Sequence, residues 1–262
     1  MKNFLKRYIL SPILSFYRRL FIRKKIALGE KKWYRLQFNF LCIDINDSDY
    51  NLDFEKNTFS KKFNNIKNIY TAHTLEHISE VQVKKILLNC FDSLSKNGTL
   101  RIEVPDCDII TNDFNNKREY INEIALQNKI NLVQKLGFED IYSKPYMAYI
   151  STISCYVDYD IWKGGIHIPV LIDEDEFNQK LKKLKNEKFY DWLISKQTPE
   201  QRRTNGHITW YNYTKIEKFL KEAGFKKIFK CQPNVSLNNF DLTLERPNDI
   251  RAKYSLIVEA TK

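Results

Sequence analysis

The sequence predicts an α/β domain: a mostly parallel sheet with helices on its faces. Three observations predict it. Short apolar runs of the buried-strand type alternate with segments of helical spacing. The clearest helix, Ser79 to Asn97, is followed directly by the run Thr99-Leu100-Arg101-Ile102-Glu103-Val104, which Pro105 stops. The 262 residues, 43% hydrophobic and 14% aromatic, suffice to bury a large core.

The first 25 residues read as a basic amphipathic helical arm. Phe4, Leu5, Tyr8, Ile9, Ile13, Phe16, Tyr17, Leu20 and Phe21 recur on one helical face, with Lys6, Arg7, Ser11, Ser15, Arg18 and Arg19 opposite. Ser11-Pro12 restarts the helix, with Ser11 as N-cap. Pro12 and the interspersed charges break the apolar run that a secretory signal would need. Two readings stay open: the arm packs on the domain or on a partner chain, or it lies on an anionic membrane surface.

Lys25 to Gly29 reads as a first strand ending in a turn, Phe40 to Ile45 as a second containing the acid Asp44, and Ile66 to Tyr70 as a third. In the helix that follows, Ser79 and Gln82 form a capping box, and Val83, Ile86, Leu87, Cys90, Phe91 and Leu94 make one apolar stripe that ends at Asn97-Gly98. The stretch 107–205 is less regular and rich in Tyr and charge, with a turn at Lys163-Gly164-Gly165. Order returns with a helix capped by Thr214 and Glu217 and stopped at Gly224, then strands at Lys227–Cys231 and Tyr254–Ala260.

Composition excludes several classes. The five cysteines form no CxxC pair, so neither a zinc site nor a disulfide framework is indicated. No run reaches the length of apolar residues that spans a bilayer. Of the net charge of +11, residues 1–25 supply eight Lys or Arg with no acid, leaving 35 basic and 32 acidic groups elsewhere. A nucleic-acid binder spreads its basic residues over a folded face, so no nucleic-acid partner is expected.

Parallel sheets take ligands at the carboxyl ends of their strands. There the order of signals resembles the class I S-adenosylmethionine-dependent methyltransferases, and more narrowly their bacterial branch linked to surface-polysaccharide synthesis. The resemblance rests on Gly29, on Phe40-Leu41-Cys42-Ile43-Asp44, on His73-Thr74-Leu75-Glu76-His77 and on Val104-Pro105-Asp106. Further on it rests on His207-Ile208-Thr209-Trp210-Tyr211, Glu222-Ala223-Gly224-Phe225 and the last strand. It implies a Rossmann-like, mostly parallel seven-stranded sheet, with residues 26–106 as the cofactor-binding half. Residues 107–205 become an insertion and substrate lid after the fifth strand, and 206–262 complete the sheet.

The resemblance also implies roles. S-adenosylmethionine is the cofactor, with Gly29 beside its methionine moiety and Asp44 accepting the ribose hydroxyls. Asp53 and its neighbours Leu52 and Phe54 flank the adenine. Ala72 and His73 touch the methionine portion or the substrate. The family's first turn carries two or three glycines, whereas Gly29-Glu30-Lys31-Lys32 keeps one.

The histidines need weighing. His73 and His77 are spaced like a zinc pair on a helix, but the glutamate precedes the second rather than following the first, and His73 falls before the helix starts. No metal is expected, and Glu76 and His77 are read as holding the turn. His73 or His207 would be the catalytic base, with Asp106 a third candidate whose bland role is to cap a turn. Lid aromatics Tyr146, Tyr149, Tyr156, Tyr159 and Trp162 could stack on sugar rings, although core packing is the preferred reading for most.

The expected function is an O-methyltransferase acting on a sugar or glycan intermediate, in the cytoplasm, with the arm at the inner face of the membrane and a homo-oligomer left open. The rival is a non-catalytic chain of the same fold serving as partner or scaffold, and methylation of nucleic acid ranks behind both.

Overall fold

The computed structural model describes residues 10–22, 24–30, 39–57, 63–158, 166–245 and 250–262. The chain forms two compact units, one of Met1–Val104 with Tyr213–Lys262 and one of Pro105–Asn212.

The first unit is built on β1 (Lys25–Leu28), β2 (Leu41–Asp44), β3 (Tyr50–Asn51), β4 (Ile66–Ala72), β5 (Leu94–Pro105), β8 (Lys227–Cys231) and β9 (Ser255–Thr261). They hydrogen-bond in the order β3-β2-β1-β4-β5-β9-β8. The pairs β1–β2, β1–β4, β2–β3 and β4–β5 are parallel, and β8–β9 is antiparallel. This is the Rossmann-like, mostly parallel seven-stranded sheet the sequence predicts, flanked by helices. Buried parallel strands read as continuous apolar runs, as Ile26, Ala27 and Leu28 do in β1, all three buried. Ala27, Phe40 and Tyr70 pack with Phe240 and Leu244 into one core cluster.

Helix α2 (Glu80–Ser93) buries Val83, Ile86, Leu87 and Cys90 as expected, but it ends four residues before Asn97. Leu94 turns extended and opens β5, pairing with Ile66. The ladder then shifts register between Ile66 and Asn68, with Asn97 at φ 65°. Only glycine fits at 98, because a Cβ there would press on the Ile66 carbonyl. The expected capping box is not made either. Ser79 gives both its N–H and its hydroxyl to the Glu55 carboxylate instead.

Helix α1 (Ser11–Phe21) carries Pro12 in its first turn, but its N-cap is Leu10 rather than Ser11. Its inward side chains are Ser15 and Arg18, while Leu10, Ile13, Phe16, Tyr17 and Leu20 are exposed. The packed reading of the arm put the apolar face inward; the structure puts the other face there. Phe4, Leu5, Tyr8 and Ile9 lie outside the described residues.

The second unit holds α3 (Cys107–Asn112), α4 (Glu119–Asn128), α5 (Pro145–Ile153), α6 (Glu174–Lys183) and α7 (Asn186–Ser195). An antiparallel ribbon of β6 (Cys155–Val157) and β7 (His167–Pro169) joins them. The stretch expected to be irregular is therefore largely helical. Aromatic packing explains it: Phe177 meets the rings of Phe114, Tyr146, Tyr149 and Phe189 at 5.5–5.6 Å between centroids. Tyr146 and Tyr149 are core residues and offer no face to a sugar, whereas Tyr156 is half-buried. Tyr159, Trp162 and the expected turn at Lys163–Gly165 lie outside the described residues.

Helix α8 (Tyr213–Glu222) starts one residue before Thr214, so the expected cap lies inside its first turn, and it ends just ahead of Gly224, which sits at φ +107° as a helix stop. All five cysteines are buried free thiols.

Candidate functional site

Strand order reverses between β1 and β4, and the carboxyl ends of those two strands bound the crevice where such sheets take ligands. Gly29 leaves β1 at φ +76° and gives its N–H to the Ile43 carbonyl at 2.7 Å. That conformation suits glycine. A Cβ at 29 would also overlap the Thr74 side chain, so the missing side chain makes room for Thr74.

Asp44 ends β2 next to Gly29 and is half-buried. Its Oδ1 accepts the Ile45 N–H at 2.7 Å, and its carbonyl accepts from Leu52 N and from the Ser48 hydroxyl, folding the 45–52 loop around it. Asp53 follows β3 and pairs with Lys56 at 2.9 Å. Burial acts to raise its pKa, but hydrogen bonds from Lys56 and the Glu55 N–H outweigh burial and lower it. Phe54 is 7% exposed and belongs to the core, so it presents little face for stacking on an adenine.

Ala72 closes β4, and His73 departs from it at φ +47° with its N–H on the Glu103 carbonyl at 2.9 Å. The His73 ring sits among acids. Nδ1 is 3.3 Å from Glu76 Oε1, Nε2 is 3.7 Å from Glu103 Oε1, and Nε2 also meets the Ser255 hydroxyl at 3.0 Å. Burial works to depress the imidazole pKa, but hydrogen bonds and charges from Glu103 and Glu76 prevail and raise it to about 9. Glu103 responds in kind. Burial would raise it, yet His73 and the Tyr70 hydroxyl, 2.9 Å from Oε2, hold it below the usual range. The two flanking carboxylates favour the imidazolium form of His73 at neutral pH, in which the ring donates rather than accepts a proton. Glu76, read as holding the turn, has Oε1 3.3 Å from the His73 ring and 3.9 Å from the His77 ring.

Sequence reasoning missed Glu103, Tyr70 and Ser255. Glu103 did leave a signal: an acid inside the apolar run of a buried strand, in register with Ala72. Such a group needs a partner.

The structure thus brings Gly29, Asp44, Ala72 and His73 to one rim of the first unit, with Asp53 and Phe54 in the loop after β3. Asp106 and His207 belong to the second unit. Asp106, 1% exposed, caps α3 by accepting the N–H groups of Asp108 and Ile109. His207 is buried, with Nδ1 2.9 Å from the Thr152 carbonyl and its own carbonyl accepting from Gln197. A carbonyl only accepts, so Nδ1 carries the proton of the neutral ring and Nε2 keeps the lone pair. The His167 ring lies edge-on to it at 5.0 Å.

No family model and no curated protein matches the sequence. Solved structures do. A SAM-dependent methyltransferase from Archaeoglobus fulgidus aligns over 99% of this chain and 97% of its own, at 10% identity and a TM-score of 0.40. Another from Mesorhizobium loti aligns over 96% of each chain, at 13% identity and a TM-score of 0.39. The plantazolicin methyltransferase BpumL, solved with SAH, aligns over 100% of this chain and 85% of its own, at 11% identity and 0.38. The chain spans 57% of a Nostoc punctiforme protein and 54% of the methyltransferase SibL. At such identities the likeness concerns the fold alone.

Proposed function

We propose that this chain is an S-adenosylmethionine-dependent methyltransferase whose acceptor is a hydroxyl of a sugar or glycan intermediate. The observation that supports it most is the half-buried Asp44 carboxylate beside Gly29, on the rim where strand order reverses. Open α/β sheets bind nucleosides there, and a carboxylate at the end of the second strand suits a vicinal ribose diol. The nucleoside end of the cofactor fits these residues. Asp44 would hold the ribose, and the backbone around Gly29 and Ala72 would border the methionine portion.

The bound cofactor supplies an activated methyl group on sulfur. What the chain contributes is alignment of the acceptor oxygen and exclusion of water. Held in its charged form by Glu76 and Glu103, His73 suits donation to an acceptor oxygen or a carboxylate better than removal of a proton. His207 is the other candidate base: with its Nδ1 donating to the Thr152 carbonyl, Nε2 is the atom that would take a proton. The sugar class follows from the resemblance of the His73–His77 and Val104–Asp106 segments to polysaccharide methyltransferases, a warrant by analogy.

A second reading has its own observation. Thr74 fills the space beside Gly29, and Glu30 is buried next to it, where the related enzymes keep further glycines. This favours a chain that has lost the cofactor and acts as a scaffold. Calorimetric titration of S-adenosylhomocysteine into the wild type and Asp44→Ala decides between them. Binding at micromolar ligand that weakens at least about tenfold in Asp44→Ala is the expected result. Silence of the wild type at millimolar ligand overturns the enzyme reading.

A further inference from the structure

Helix α1 turns a charged side toward the sheet and an apolar side away from it. Arg18 and Ser15 are buried, Arg18 completely, while Ile13 is 63% exposed, Phe16 68% and Leu20 45%. A helix resting on a globular body ordinarily does the reverse. The cause is the partner Arg18 finds. Both Nε and Nη2 bond the Asp49 carboxylate, and Asp49 Oδ2 also accepts the Cys42 N–H of β2. This pairing fixes the rotation of the helix about its axis. Leu10, Ile13, Phe16, Tyr17 and Leu20, spaced three and four apart, then form one outward stripe. Single exposed apolar residues are ordinary, but a contiguous stripe marks a docking face.

Charge names the occupant. Residues 1–25 hold eight basic residues and no acid. Arg18 is neutralised by Asp49 and Lys25 by Asp241, Arg19 is exposed with its guanidinium over the Tyr50 ring, and Lys24 is exposed just after the helix. We propose that this face docks on an anionic lipid surface, the stripe entering the headgroup boundary and the basic groups meeting the anionic heads. A second copy would bring the same excess of positive charge against itself, which disfavours self-association through this face. Eleven residues are too few to cross a bilayer, and no helix among the described residues is long and apolar enough to do so. The helix lies on the surface. This inference does not depend on the methyltransferase reading.

The test is co-sedimentation of the full chain with vesicles of phosphatidylcholine and phosphatidylglycerol, against vesicles of phosphatidylcholine alone. The wild type should pellet with the anionic vesicles, and added salt should release it. Ile13→Ser with Phe16→Ser should weaken binding at least about tenfold, and Arg19→Gln with Lys24→Gln should weaken it severalfold. All four side chains are exposed, so an unchanged melting temperature checks that the fold is intact. Three results overturn the proposal. The wild type stays in the supernatant with anionic vesicles, or it binds both vesicle types equally. Or a dimer seen by ultracentrifugation is broken by Ile13→Ser with Phe16→Ser while vesicle binding is unchanged.

Discussion

Arg18 closes on Asp49 through two hydrogen bonds, Nε to Oδ2 at 2.6 Å and Nη2 to Oδ1 at 2.9 Å, with neither side chain exposed. Such a pair is expensive to break from one side, because the remaining charge is buried alone. Asp49→Asn should lower the unfolding free energy by about 3–5 kcal/mol, as should Arg18→Met. Changing both together should cost less than the sum of the two. Urea denaturation of the four proteins measures all of this.

His73 makes stability depend on pH at the alkaline side. Its folded pKa, raised to about 9 from 6.5, means the folded state binds a proton more tightly than the unfolded chain. The stabilisation is fully present below 6.5 and is lost as pH rises through about 9, an effect on the order of 3 kcal/mol. Glu103 acts in the opposite direction. Its lowered pKa adds stability above the ordinary glutamate range that is lost as pH falls through the folded value. Chemical denaturation across pH should show His73→Gln losing the alkaline dependence. A curve parallel to wild type would contradict the assignment.

At Gly29 two costs combine. Alanine there must adopt a left-handed backbone, about 1–2 kcal/mol, and its Cβ meets Thr74. Gly29→Ala should therefore lower the melting temperature. Adding Thr74→Gly should recover the steric part and leave the backbone part, as thermal melts of the single and double variants would reveal.

Arg101 lies between Glu245 and Glu259 with no exposure, and it also donates to the carbonyls of Gln232 and Val235. Arg101→Met strands two buried carboxylates and should cost about 3–5 kcal/mol. Because those bonds tether the chain between Gln232 and Glu245, limited proteolysis should cut there first in the variant.

The fold was readable because β1, β2, β4, β5 and β9 each carry local apolar residues of the buried-strand type, and turns at Gly29 and Gly224 mark element ends. Leu94 was misread because one apolar residue suits both the last turn of a helix and the first position of a buried strand. The orientation of α1 was not readable at all. Its determinant is Asp49, 31 residues away, and an ion pair leaves no period in the sequence. The rim was found through Gly29, Asp44 and His73, but the protonation of His73 was not. That property belongs to Glu76 and Glu103 together, and only the pairing of β4 with β5 brings Glu103 to the ring. The second unit hid its order because its helices are held by ring-to-ring contacts between distant segments rather than by clean apolar stripes.

Cys42, Cys90 and Cys231 fall in the sheet-bearing unit, and Cys107 and Cys155 in the helical one, all of them shielded from solvent. Burial also raises the pKa of Cys90 and Cys231, keeping them protonated and unreactive. An alkylating reagent followed by peptide mass spectrometry would thus read the opening of each half of the molecule separately, with no engineered label.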